Sequence, residues 1–301
     1  MQEDENVVAT STETVADVTS GKPTVLSISG GMDSTCLLMK LLSEGRNVKA
    51  YSFFYGQRHA VELKKLKKNI KFLQKMGLPV EWTKIDVSDI FSDNTSALYK
   101  ENVLGDEIPQ GHYADDNMKR TVVPLRNIIF STIIAAKAIN LAVKEGQNVD
   151  IAMGLHSGDH AIYPDCRPES QTMAKELYRI SDWNGDKIDY IAPFINLTKG
   201  EVLVEGINAM KSLGFSLKEI ENILSNTHTC YDPDEGGNAC GKCGACTERI
   251  EAFAYMNVVM GYDATFIDPA PYQNEEDMIS KFYAKFDEIK SDIENDSTEE
   301  V

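Results

Sequence analysis

At 301 residues, with 42% hydrophobic and 26% charged side chains, the chain can bury a sizeable core as one large domain or as one domain with a small appendage. It has no run of about 18 apolar residues, and residues 1–20 have neither the basic start nor the apolar centre of an export signal, so no membrane span is expected and a cytoplasmic location is. The formal charge of −17 sits mostly at the ends: residues 1–20 carry five acidic and no basic side chains, residues 274–301 carry ten and three, and −5 remains between them. A locally positive anion pocket is therefore allowed, while wholesale nucleic-acid binding is disfavoured.

Residues 1–20 read as a disordered acidic leader. The apolar run at 24–29 predicts a buried strand, turned by Gly30 and Gly31 into a helix from Asp33 or Ser34 to about Ser43, with Leu37, Leu38, Leu41 and Leu42 on one face. Paired glycines let the backbone approach a ligand, and the free N–H groups of the next helix attract an anion, here expected to be phosphate. Residues 47–54 predict a second strand, closed by Tyr55-Gly-Gln-Arg-His59, and residues 61–75 a helix with Leu63, Leu66, Ile70 and Leu73 inward and a lysine-rich solvated face. With a third strand at 79–87, the order implies a parallel sheet with right-handed crossovers.

Residues 88–120 break that rhythm and read as a lid or substrate loop. Val122-Val-Pro-Leu-Arg-Asn127 opens a helix reaching about Lys144, which places Arg126 and Asn127 at a helix start, where a guanidinium adds to the affinity for phosphate. A fourth strand spans 148–155, and the stretch from His156 to Arg167 begins at its carboxyl end, where open parallel sheets gather ligands. A helix at 168–180, a short strand at 187–192, a helix from the Thr198 stretch to near Gly214 and another at 216–225 complete the pattern. After the cysteines described next, helices are expected at 247–259 and 275–293. The second carries Met278, Phe282, Phe286, Ile289 and Ile293 on one face, which needs the core or a second copy of the chain as partner.

Cys230, Cys240, Cys243 and Cys246 follow the spacing C-x9-C-x2-C-x2-C, with glycines between them that permit tight chelation. Such a set suits one tetrahedral zinc, and because four thiolates leave no open position the ion is expected to be structural. An iron–sulfur cluster stays open as an alternative, since C-x2-C-x2-C also serves there. Cys36 and Cys166 stand apart and read as small buried residues.

Five motifs now stand in order: Ser29-Gly-Gly-Met-Asp-Ser34, Tyr55-Gly-Gln57, Val123-Pro-Leu-Arg-Asn127, Tyr163-Pro-Asp-Cys-Arg167 and the cysteine cluster. Together they resemble the 7-cyano-7-deazaguanine synthase family of PP-loop ATP pyrophosphatases, over about residues 22–253; Leu125 stands where that family has Gly or Asn. The resemblance implies an α/β fold with an open, parallel, Rossmann-like sheet, helices on both faces and a C-terminal zinc-binding helical lobe. The expected divisions are 21–226 for the ATP-binding domain, 227–260 for the zinc lobe, 261–293 for an extension with an amphipathic helix, and 294–301 for a disordered acidic tail.

It further implies ATP-dependent conversion of 7-carboxy-7-deazaguanine and ammonia to the nitrile, through an adenylated acid and an amide. On that basis Ser27, Ser29, Gly30, Gly31, Met32, Asp33, Ser34 and Thr35 contact ATP; Asp33, Ser34 and Arg126 act in catalysis; and Asp33 helps to place Mg²⁺. Arg126, Asn127, Asp159, Tyr163, Asp165 and Arg167 are expected to meet the substrate, with Asp159 and Asp165 as candidates for reading its guanine-like N–H edge. Small-molecule partners and a homodimer are expected, and neither a membrane nor a nucleic acid. The competing readings are a PP-loop enzyme that modifies tRNA, a ligase that stops at the amide, and a non-catalytic nucleotide-binding scaffold.

Overall fold

The computed structural model describes residues 21–111, 115–156 and 163–299. Among them, β1 (Pro23–Ser27), β2 (Asn47–Phe54), β3 (Val80–Asp86), β4 (Val149–Met153) and β5 (Ile188–Ile191) form one parallel sheet in the order β3-β2-β1-β4-β5. The helices are α1 (Met32–Ser43), α2 (Val61–Lys75), α3 (Asp115–Thr121), α4 (Arg126–Glu145), α5 (Pro168–Ser181), α6 (Lys199–Ser212), α7 (Leu217–Ser225), α8 (Gly244–Met260) and α9 (Glu275–Glu299).

The middle strands are the most apolar because both their faces are covered: Val25, Leu26, Val149, Ile151 and Ala152 are all buried. The chain steps outward from β1 to β3, then returns to lay β4 on the other side of β1. Right-handed crossovers in opposite directions place helices on opposite faces and leave a crevice where the carboxyl ends of β1 and β4 diverge. On one face α4 lies against β1, β4 and β5; on the other, α1 packs on α6, α6 on α8 and α8 on α9. The first of these contacts is tight because Gly206 has no side chain: a Cβ there would lie 2.3 Å from the Cys36 sulfur. Helix α4 has the length and mean hydropathy of a bilayer span, yet it covers the sheet of this core.

The structure departs from the sequence expectations in four places. Residues 88–120, expected as a lid or substrate loop, contain a 3₁₀ turn at Ser88–Phe91 and α3, and Ala97, Leu98, Ile108 and Met118 among them are buried. Helix α8 starts at Gly244 rather than Thr247, with Cys243 as its N-cap, so that Cys246 lies in the first turn. Helix α9 continues through the expected tail to Glu299, since no Gly or Pro interrupts it. The divisions expected at 226 and 260 fall within a continuous hydrophobic core, and Met278, Phe282 and Phe286 of α9 are buried in it.

Leu125, the N-cap of α4, adopts φ 54° and ψ 19° with its side chain exposed. This left-handed conformation costs an L-residue about 1–2 kcal/mol, and Asn tolerates it better than Leu. Leu125→Asn is expected to raise stability by about 1 kcal/mol, read as a higher urea midpoint at unchanged slope.

Candidate active site and metal centre

The loop after β1 is held by its own hydroxyls. Ser29 Oγ accepts from the Gly31 N–H (3.1 Å) and lies 3.1 Å from Ser34 Oγ, while Thr35 Oγ1 donates to the Gly31 carbonyl at 2.8 Å. Gly30 has φ +95°, and a Cβ on it would stand 2.7 Å from the Glu62 carbonyl oxygen, so only glycine fits between the loop and the start of α2. From the C-terminal side, the His228 N–H donates to the Gly30 carbonyl at 2.9 Å. Ser27, Ser29, Gly31, Asp33 and Ser34 line the cleft at this point, whereas Met32 and Thr35 are buried behind it.

Asp33 lies among cations. Its Oδ2 is 3.6 Å from Lys199 Nζ and 3.7 Å from His156 Nε2, and Oδ1 has no hydrogen-bond partner among the described residues. Burial alone would raise the Asp33 pKa, but Lys199 and then His156 outweigh it and hold the carboxyl below the ordinary carboxylate range. Lys199, itself buried, also donates to Glu248 Oε2 at 2.8 Å. It enters from the first turn of α6, where Thr198 and Glu201 form a reciprocal capping box. A cation is disfavoured at a helix start, and that placement was the one sequence sign that Lys199 serves the site.

The far wall is aromatic and cationic. Phe53 stacks on Phe130 at 4.1 Å, and Tyr55 accepts at its hydroxyl from Arg126 Nη1 at 3.2 Å, with the guanidinium 5.8 Å from the ring. Arg126, Asn127 and Tyr163 line the same cleft as the glycine loop after β1. Asp165 stands beside it, in an adjoining hollow that shares Arg126 and Tyr163, and its Oδ2 accepts from the Asn127 backbone N–H at 3.3 Å. Arg167 is exposed as the N-cap of α5 and does not line the cleft, and Asp159 lies outside the described residues. His59, Glu62, His156, His228 and Glu248 also line the cleft. Their sequence sign was weak: the first two follow β2 and His156 follows β4, both at carboxyl ends of strands.

The four predicted cysteines converge, all buried, with their sulfurs within 4.8 Å of one another. A tetrahedral zinc with bonds of about 2.3 Å sets its sulfurs about 3.8 Å apart; Cys240 and Cys246 are 3.9 Å apart. Backbone N–H groups of Asp232 and Cys240 donate to Cys230 Sγ, and those of Lys242 and Cys243 to Cys240 Sγ, an arrangement that favours thiolates. This is a closed metal site.

Residues 23–257 match the family model described as "Queuosine biosynthesis protein QueC". The chain belongs to the QueC family. Curated relatives agree: the 7-cyano-7-deazaguanine synthase of Pseudoalteromonas translucida is 37% identical over 83% of this chain and 98% of its own length. That of Marinomonas sp. is 39% identical over 76% and 92%, and that of Caldicellulosiruptor bescii 37% over 84% and 98%. The family match thus takes in all the motif stretches described above.

Proposed function

We propose that this protein converts 7-carboxy-7-deazaguanine, ammonia and ATP to 7-cyano-7-deazaguanine in the cleft between β1 and β4. The observation that carries this reading is that the phosphate loop, Asp33, Lys199 and Arg126 open into one cleft in a chain of the QueC family. A carboxylate is a poor electrophile, so its oxygen attacks the α-phosphorus of ATP and pyrophosphate leaves. The N-terminal N–H groups of α1 hold that pyrophosphate, while Lys199 and Arg126 neutralise the charge that develops. Ammonia displaces AMP to give the amide, and a second adenylation followed by loss of AMP gives the nitrile. Asp33 Oδ1, which has no hydrogen-bond partner among the described residues, is the oxygen offered to Mg²⁺.

Asp165 Oδ1, which among the described residues has the Cys166 thiol at 3.7 Å, is the acceptor offered to the ring's N–H edge from the adjoining hollow. The ion in the cysteine site is zinc, one per chain and structural, because four thiolates fill its coordination. Their reduced state suits the cytoplasm. Met173, Leu177, Ile180 and Trp183 leave an exposed apolar stripe on α5 and just beyond it. A second copy of the chain can cover this stripe with its own about a two-fold axis; Leu177→Glu is expected to convert the dimer to monomer in sedimentation.

Mass spectrometry of the products from the acid, ATP and ammonium tests the function. Nitrile with two AMP per molecule supports it, amide alone restricts it to the first half, and absence of acid-dependent AMP overturns it.

A further inference from the structure

A nitrogen that enters as ammonium carries four hydrogens, and as a nitrile it carries none. The reaction therefore needs a proton acceptor beside the acyl carbon. Most titratable groups of the cleft are committed elsewhere. Asp33 is paired with Lys199 and His156, and Glu248 with Lys199. Burial pushes His59 down to about 3 and the Cys166 thiol up to about 12, which makes that imidazole too weakly basic and leaves the thiol protonated, while His228 is buried behind the loop with its N–H on the Gly30 carbonyl. His156 turns Nε2 toward Asp33.

Glu62 differs from all of these. It lines the cleft from the first turn of α2, is 5% exposed, and lies directly against Gly30 of the phosphate loop. Its Oε1 accepts from Gln57 Nε2 at 3.2 Å and has His59 Nε2 at 3.7 Å, and its other oxygen has no partner among the described residues. Gln57 is itself fixed, accepting from the Tyr55 N–H at 2.9 Å and donating to the Phe53 carbonyl at 3.1 Å, so the end of β2 sets the direction of the carboxyl.

On the functional reading above, we propose that Glu62 is the catalytic base that removes protons from the reacting nitrogen. Its carboxylate takes a proton from ammonium, and the freed lone pair forms the C–N bond to the acyl carbon. The C–O bond breaks, its electron pair leaves on AMP, and a second N–H proton passes through the same carboxyl to solvent. In the nitrile stage the amide oxygen displaces pyrophosphate from the second ATP as a third proton leaves nitrogen. Elimination of AMP with the fourth forms the carbon–nitrogen triple bond. Burial raises the Glu62 carboxyl to about 8, while the Gln57 hydrogen bond and Arg126 pull it back only partly. A group balanced near neutral pH both accepts and releases protons. The groups that face it are Gln57 and Tyr55 after β2, Arg126 from α4, and His59 with His228 behind it.

The test compares the full, metal-loaded wild type with Glu62→Gln and Glu62→Asp. Adenylation of a carboxylate needs no base, so acid-dependent ATP–pyrophosphate exchange is expected to survive in Glu62→Gln. Amide formation at neutral pH falls about 10²- to 10⁴-fold, and recovers as the pH passes the ammonium pKa and supplies free ammonia. Nitrile formation from added amide falls as well, and Glu62→Asp is intermediate. A readout independent of turnover is thermal stability. A carboxyl that binds its proton more tightly folded (about 8) than unfolded (4.5) makes stability decline as pH rises between those values, and Glu62→Gln removes that decline. Full-rate nitrile formation by Glu62→Gln, or equal loss of exchange and amide formation, overturns the assignment. Absence of acid-dependent exchange in the wild type overturns the functional reading and the assignment with it.

Discussion

Replacing Cys240 with Ser, or removing the metal with a chelator, will unfold the C-terminal side of the protein and release the phosphate loop with it. Structural zinc contributes roughly 10 to 16 kcal/mol of apparent binding energy in small peptides, which exceeds the stability of most domains. Three connections carry the effect beyond the cluster. The His228 N–H, two residues before Cys230, holds the Gly30 carbonyl; the Gly111 N–H donates to the Lys242 carbonyl at 2.8 Å; and Gln110 forms a bridge with Cys243. Behind the site, buried Arg249 makes a bidentate pair with Asp268 and reaches Thr227, Thr229 and the Leu224 carbonyl. Hydrogen exchange at Gly30, His228 and Gly111, measured with zinc content and ATP affinity, checks the expectation. Retention of ATP binding after complete loss of the bound metal would contradict it.

Asp33→Ala is expected to lower AMP release at least about 10³-fold, roughly 4 kcal/mol of barrier, while leaving the melting temperature nearly unchanged. Lys199→Met should cause a loss of similar size by a different route, since it removes the cation that Asp33 and Glu248 share. Lys199 is the strongest of the influences that hold Asp33 ionised. Its removal therefore raises the carboxyl's pKa, and the acid limb of the pH–rate profile moves to higher pH. An unchanged acid limb in Lys199→Met would show that Asp33 is not the group titrating there.

The strand–glycine–helix turn after β1 and the cysteine set were legible in the sequence because each is local: a strand, two glycines and a helix start in one case, four thiols within one short segment in the other. The sheet was legible for the same reason, as alternating strand and helix patterns admit few topologies. Lys199, Glu62, His59 and Glu248 were not, because only the crossovers bring α1, α2, α6 and α8 to one mouth. Asp165 was expected to read the substrate; its Oδ2 also accepts from the Asn127 N–H, a contact across 38 residues that motif reading does not show. The packing of the expected lid or substrate loop at 88–120 was not legible because its buried residues, Ala97, Leu98, Ile108 and Met118, follow no period.

The strand order also sets where the molecule can loosen safely. β1 and β4, whose tips form the mouth, are each hydrogen-bonded on both sides, while β3 and β5 form the outer margins of the sheet. Opening is therefore expected to begin at either margin and to leave the β1–β4 pairing, beyond whose tips Asp33 and His156 follow, in register.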